Sequence, residues 1–277
     1  MDAESNRRQL SLSEIKRIEL DLLVEFDRMC NANGLYYTLC GGTLLGAIRH
    51  HGFIPWDDDI DVLMPRADYD KFLNMSSHAG LPEHIDIVSW KDGTSYYPFI
   101  KLLDKRTEIE TKYVEDISNK IWIDVFPIDG NPEDSQELNR VYKKSKFYRK
   151  ILTTKVSKIG GGKSFLKRLI KPLVRLLLTP LSTSMLCKKI DAFAKSYDFE
   201  HSEYVGGIVW GYGPCERINK KAYMSPVKVV FEGLTFTAPS NYDEYLSGLY
   251  GNYMELPPEE KRLTHEIVAY MINEKNK

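Results

Sequence analysis

The sequence predicts an α/β (α+β) fold: a mixed sheet flanked by helices, with a basic helical insert. Three observations predict it. Short apolar and β-branched runs alternate with helical stretches towards both ends of the chain. Four aspartates fall within positions 57–61, with apolar residues on either side. Residues 138–190 hold fifteen Lys or Arg and no Asp or Glu, which leaves 23 basic and 39 acidic residues elsewhere. At 277 residues, 43% hydrophobic and 12% aromatic, the chain suits one large domain or a core with an appended lobe. The expected division is a core over 1–131, the basic and mostly helical insert over 132–200, and a C-terminal part over 201–277 that completes the core.

Composition excludes several classes. Cys30, Cys40, Cys187 and Cys215 form no CxxC pair and no zinc-type spacing with His. The opening MDAESNRRQL has no apolar signal core, and no run of about 18 apolar residues is present. The expectation is reduced thiols and a cytoplasmic protein, peripheral at most to the inner face of a membrane. No DNA- or RNA-binding module is visible, so no nucleic-acid partner is expected.

Taken in order, Ser11 and Glu14 fit a capping box. Ile15, Ile18, Leu22, Phe26 and Met29 then follow at helical spacing until Asn33-Gly34. Residues 35–40 read as a short strand, Gly41-Gly42 as a turn, 43–48 as helix, 49–56 as loop, and 60–64 as a strand stopped by Pro65. Asp68 is placed to cap a helix to Leu73. Further strands are expected at 85–90, 98–103, 108–114 and 121–126, the last bounded by Pro127, Asp129, Gly130, Asn131 and Pro132. Pro172 and Pro180 cut the insert into pieces. Residues 227–231 and 234–238 flank Glu232-Gly233 as a hairpin, and Ser240 and Asp243 open a helix ending near Gly248.

The aspartates carry the chemistry. Adjacent carboxylates repel one another unless a cation neutralises them. Side chains alternate along a strand, so Asp57, Asp59 and Asp61 share one face and Asp58 falls on the apolar side. Asp59 and Asp61 are the expected pair for a Mg²⁺ ion, with Mn²⁺ as the alternative. Asp124 is a lone acid inside the apolar run Ile-Trp-Ile-Asp-Val-Phe, where burial without a partner is costly, and it is the expected third carboxylate. A calcium loop of the EF-hand type fails for want of its Gly and closing Glu. The turn Gly41-Gly42-Thr43 lies between a strand and a helix start, where free N–H groups suit a phosphate. A Gly-Gly turn, then Asp-apolar-Asp, then a third acid on another strand matches the nucleotidyltransferase pattern. The run Gly160-Gly161-Gly162-Lys163-Ser164 is no P-loop, because Ser157 stands where the motif needs glycine.

The stretches GGTLLGAIRHHGFIPWDDDIDVLMPRADYDKF and FEGLTFTAPSNYDEYLSGLYGNYMELPPEEKRLTH closely resemble the signature of the LicD family of phosphocholine transferases. PFIKLLDKRT and IWIDVFPIDG resemble family segments too, so the likeness spans most of 14–130 and 200–265. The resemblance implies a nucleotidyltransferase-like catalytic core that moves phosphocholine from CDP-choline to a sugar hydroxyl of a lipid-linked glycan acceptor, a cell-surface precursor of teichoic acid or lipopolysaccharide type. CMP is the implied leaving group. Relatives that use CDP-ribitol keep another cargo open, and Asp59-Ile60-Asp61 as a DxD motif keeps a metal-dependent glycosyltransferase open. On matching positions the resemblance makes Asp59, Asp61 and Asp124 the catalytic metal ligands and Gly41, Gly42 and Thr43 the phosphate turn.

Arg49 and Lys101 are further candidates for phosphate contacts, and the roles of Arg262 and His265 stay open. Choline, a quaternary ammonium, calls for aromatic faces, and Trp56, Trp122, Trp210 and Tyr212 are the candidates. Within the insert, Phe165, Leu166, Leu169, Ile170, Leu173, Leu176 and Leu177 make an apolar helical face interleaved with Lys163, Lys167, Arg168, Lys171 and Arg175. Such a helix, over 163–178, is expected to touch an anionic membrane peripherally.

Overall fold

The computed structural model describes residues 7–75, 80–110, 117–158, 172–262 and 267–272. Ser11 and Glu14 close the expected capping box, with reciprocal bonds of 3.3 and 2.9 Å, and start helix α1 (Leu12–Asn33). Its apolar stripe from Ile15 to Met29 is buried, and Gly34, at φ +63°, ends it in the left-handed conformation. Helix α2 (Gly41–His50) starts earlier than expected, so both glycines lie in its first turn.

The main sheet runs in the order β2 (Thr38–Leu39), β3 (Asp61–Pro65), β7 (Ile121–Asn131), β5 (Ile100–Asp104), β4 (Ile85–Val88). Only β3 and β7 are parallel; β2, β5 and β4 join antiparallel. Strands β8 (Tyr204–Gly206) and β9 (Ile218–Asn219) extend it from the far end of β7. A second sheet joins β1 (Arg7–Gln9), β12 (Val268–Ile272) and β6 (Thr107–Glu110). Strands β10 (Pro226–Phe231) and β11 (Leu234–Pro239) form the expected hairpin, with Glu232 and Gly233 both at positive φ.

Several expectations are corrected. Strand β7 does not stop at Phe126: Asp129, Gly130 and Asn131 pair with Gly206, Val205 and Tyr204, so apparent turn residues are held in a ladder by a strand some 75 positions away. Asp68 does not cap α3 (Arg66–Asn74); Pro65 holds that place, and the Asp68 carboxylate accepts from the Tyr36 N–H at 3.2 Å. Regular β3 begins at Asp61, yet Asp58 is buried and Asp57 and Asp59 half-buried, so the alternation persists ahead of the ladder. The expected strand at 108–114 is β6 as far as Glu110, and 111–116 lie outside the described residues.

The insert supplies helices α4 (Ser135–Val156) and α5 (Thr183–Lys195), which pack together around Leu152, Leu186, Cys187 and Ile190. The glycine run 160–162 and residues 163–171 lie outside the described residues. A buried ionic knot ties the insert to the sheet. Arg66 grips Asp129 through Nε (2.6 Å) and Nη2 (2.7 Å), and donates from Nη1 to Asp191 of α5 at 2.8 Å. Lys195 bridges Asp191 and Asp70 from outside. Short helices α6 (Lys220–Tyr223) and α7 (Tyr242–Tyr250) complete the C-terminal part.

Removing one member of a buried pair leaves an uncompensated charge. Arg66→Ala is expected to cost about 3–5 kcal/mol of stability, read from urea unfolding. Lys71→Ala, which removes only the exposed partner of Asp68 on the same helix, is expected to cost under about 1 kcal/mol.

Candidate active site

The parallel pairing of β3 with β7 sets Asp61 directly opposite Asp124, and the antiparallel pairing of β5 sets Lys101 opposite Asp124 on the other side. Registered neighbours share a face, so Asp61, Asp124 and Lys101 form one row across three strands, each about 4.8 Å from the next. Lys101 is only 3% exposed. Its ammonium stands 3.7 Å from Asp124 Oδ1, 4.0 Å from the ring centre of Trp122 and 4.5 Å from that of Tyr97. Burial first, then the carboxylates of Asp59, Asp124 and Asp57, push the Asp61 carboxyl well above its ordinary range, and Lys101 works against them.

The glycine turn makes room for these acids. A Cβ on Gly42 would stand 2.6 Å from Asp57 Oδ2, and one on Gly41 would stand 3.3 Å from Asp61 Oδ2. Gly41 also sits at φ +53°, where side chains are strained. Thr43 Oγ accepts from the Asp61 N–H at 2.8 Å and so ties the start of α2 to the start of β3. The Gly41 N–H donates to the Tyr245 hydroxyl at 3.3 Å. Gly42 therefore faces Asp57, while Gly41 lines the open space.

That space is a cavity of about 760 Å³. It takes Asp59, Asp61, Asp124, Lys101 and Gly41 from the core, Trp210 and Tyr212 from the C-terminal part, and Lys146, Arg149 and Lys150 from α4. The spacing 146, 149, 150 puts three cations on one helix face. The insert thus walls the cavity. Trp210 packs edge to face on Tyr97 and Phe99, at 5.7 and 5.3 Å between ring centres, and Tyr97 and Phe99 lie tilted at 31° to each other.

Reasoning from sequence missed three residues. Glu216 lies buried in the cavity wall, and its carboxylate accepts from the Tyr212 N–H at 2.7 Å. Burial pushes its carboxyl up to about 8, against the N–H donors of Tyr212 and Gly213. Arg149 donates to the Gly211 carbonyl at 2.6 Å with its guanidinium 5.6 Å from the Trp210 ring centre. Together they clasp the segment 207–213, which carries Trp210 and Tyr212. Glu19 is 2% exposed beneath Asp57, Asp58 and Asp59; burial, then Asp59, raises its carboxyl well above the usual range. Its signal was legible, an acid on the apolar stripe of α1. Glu216 and Arg149 gave none, since their partners are backbone atoms 4–62 positions away.

Four expected site residues do not line the cavity: Gly42, against Asp57, Thr43, buried on the Asp61 N–H, Arg49 and Trp56. Arg49 donates to the carbonyls of Tyr253 (2.6 Å) and Glu255 (3.1 Å), anchoring that loop, and does not line the cavity. Trp56 packs under the Arg262 guanidinium at 4.7 Å and beside His50, also outside the cavity. His265 lies outside the described residues.

The residues fit a divalent cation: three carboxylates face one cavity, and Asp59 and Asp124 raise the proton affinity of Asp61, a repulsion that a cation would relieve. Among the described residues no three such side chains are already closed around a metal position, so ligation calls for side-chain rotation. Carboxylates suited to a metal, faced by cations suited to phosphate, are the equipment for moving a phosphoryl group. Residues 34–177 match the family model described as LicD/FKTN/FKRP, nucleotidyltransferase domain. Over 276 residues the chain is 32% identical to the lipopolysaccharide cholinephosphotransferase LicD of Haemophilus influenzae, spanning 96% of this chain and 100% of that protein. Shorter likenesses, 36% over 61 residues and 40% over 58, link it to uncharacterized proteins of Rickettsia typhi and Rickettsia prowazekii; each covers 22% or less of either partner. The chain belongs to the LicD family, and it is an enzyme, a phosphotransferase.

Gly42→Ala is expected to destabilise the protein by about 1–3 kcal/mol, since Asp57 must be displaced, and to lower cation affinity; thermal unfolding with and without Mg²⁺ measures both. The raised Glu216 carboxyl is favoured in its protonated form by the folded state. Its contribution is therefore fully present below about pH 4.5, its unfolded value, and is lost as pH rises through about 8. Urea unfolding across that window is expected to show a decline in stability that is absent in Glu216→Gln.

Proposed function

We propose that this enzyme carries out a Mg²⁺-dependent transfer of phosphocholine from CDP-choline to a sugar hydroxyl of a cell-surface glycan precursor, of teichoic acid or lipopolysaccharide type, with release of CMP. The observation that carries this reading is the row of Asp61, Asp124 and Lys101 in a cavity also lined by Trp210 and Tyr212. The full-length likeness to a lipopolysaccharide cholinephosphotransferase supports the cargo.

Asp59, Asp61 and Asp124 would hold Mg²⁺, or Mn²⁺ in its place. When bound, the ion neutralises charge on the donor diphosphate and on the departing CMP. Lys101 and the Gly41 turn hold the diphosphate from the sheet side, and Arg149, Lys146 and Lys150 from the α4 side. A bond forms between the acceptor oxygen and the phosphorus bearing choline; the bond from that phosphorus to the bridging oxygen breaks, and its electron pair leaves with CMP. Asp124 either holds the metal with Asp59 and Asp61 or, in place of that role, receives the acceptor proton. The box of Trp122 and Tyr97 is already filled by the Lys101 ammonium. Trp210, with the Arg149 guanidinium 5.6 Å from its ring centre, and Tyr212 are the cavity aromatics proposed to take the trimethylammonium group. The acceptor is lipid-linked on this reading, and the enzyme works at the inner face of the membrane.

The test is CMP release in Mg²⁺ from a panel of CDP-choline, CDP-ribitol, CTP and UDP-sugars with a glycan acceptor. Release from CDP-choline alone is expected, and Asp61→Asn is expected to slow it by roughly a hundredfold to a thousandfold. CMP release from CDP-ribitol in preference, or UDP release from a sugar donor, would overturn the cargo or the reaction.

A further inference from the structure

We infer that the outer tip of the helical insert docks on an anionic lipid surface. The tip is built from the helical residues 172–177 and the first turn of α5, joined by the turn 178–182. Leu173, Leu176 and Leu177 are 60%, 68% and 73% exposed, and Met185 is 57% exposed. The leucine spacing places all three on one face of the turn. A folded soluble surface scatters such side chains singly; it rarely gathers them.

The tip is held, not dangling. Lys155 near the end of α4 donates to the Leu178 carbonyl at 3.1 Å, and Arg175 donates to the Ser157 carbonyl at 3.1 Å. The exposed leucines are therefore presented outward by the helix pair.

Charge decides the occupant. In sequence, Lys155, Lys158, Arg175, Lys188 and Lys189 lie close to the tip, and no acidic residue occurs from 138 to 190. Lys188 and Lys189 lie one helical turn beyond Met185 on the same side of α5. Long basic stems can lie along a lipid boundary with their charges at the headgroups. A second copy meeting tip to tip would bring two basic clusters together, which disfavours that pairing. Apolar insertion and basic attraction are the two signals that stable peripheral attachment needs together. Thr153, one turn before the end of α4, still lines the cavity, so a docked tip sets the cavity mouth beside the lipid. The inference stands without the proposed reaction.

Sedimentation of the full-length protein with vesicles tests it. Wild type is expected to bind vesicles of phosphatidylcholine mixed with phosphatidylglycerol, to bind pure phosphatidylcholine weakly, and to release as salt rises. Leu173→Ser/Leu176→Ser/Leu177→Ser is expected to lower partition at least about tenfold, and Lys188→Glu to lower it on the mixed vesicles alone. The thermal midpoint should stay unchanged in both variants, because these side chains are exposed. Absence of wild-type binding, retention by the triple variant, or equal binding to neutral vesicles would overturn the inference. So would a concentration-dependent dimer without vesicle binding that the triple variant dissolves, which would assign the face to a second copy.

Discussion

The pairing of β3 with β7 is the constraint on which the site depends. Among the described strands it is the one parallel pairing of the main sheet, and its register sets Asp61 against Asp124. A slip of one residue in either strand would turn its carboxylate to the face opposite the other. Everything that converges on the row is arranged around that register. Thr43 holds the Asp61 amide, the Ile60 carbonyl accepts from the Asp124 N–H at 2.9 Å, and Lys101 closes the row from β5. The repulsion built into such a row is tolerable because Lys101 offsets part of it and a bound cation can offset the rest.

Much of this was legible in the sequence, for a physical reason. Period-two alternation separates Asp58 from Asp59 and Asp61, and the burial of Asp58 follows that alternation even ahead of the regular strand. A lone acid in an apolar run marks Asp124 because such a residue is costly without a purpose. The first helix, its cap and the β10–β11 hairpin rest on local chemistry and were readable for that reason. What could not be read rests on distant partners. The extension of β7 depends on β3 at Pro127 and Ile128 and on β8 from Asp129 to Asn131, and the placement of Arg49 depends on carbonyls more than 200 positions away. Aromatic residues were the least readable, since Trp56 and Trp210 look alike in sequence yet only Trp210 reaches the cavity.

The basic segment proves to be two things at once. Its first helix faces inward and supplies the cationic wall of the cavity, while its far end faces outward with exposed leucines. The Arg66 knot makes this double role possible. By clasping Asp129 at the end of β7 and Asp191 on α5, it fixes the helix pair to the same strand that carries Asp124. Wall and carboxylate row therefore share one rigid reference.

The clasp of Arg149 and Glu216 on residues 207–213 has a consequence for how the enzyme could diversify. Trp210 and Tyr212 sit on a segment gripped at the neighbouring residues Gly211 and Tyr212, one grip coming from the insert and the other from the C-terminal part. The reacting row is built from other strands altogether. A change in α4 therefore shifts the cationic wall and the aromatic side chains together, whereas the acids of β3 and β7 stand on strands that α4 does not carry.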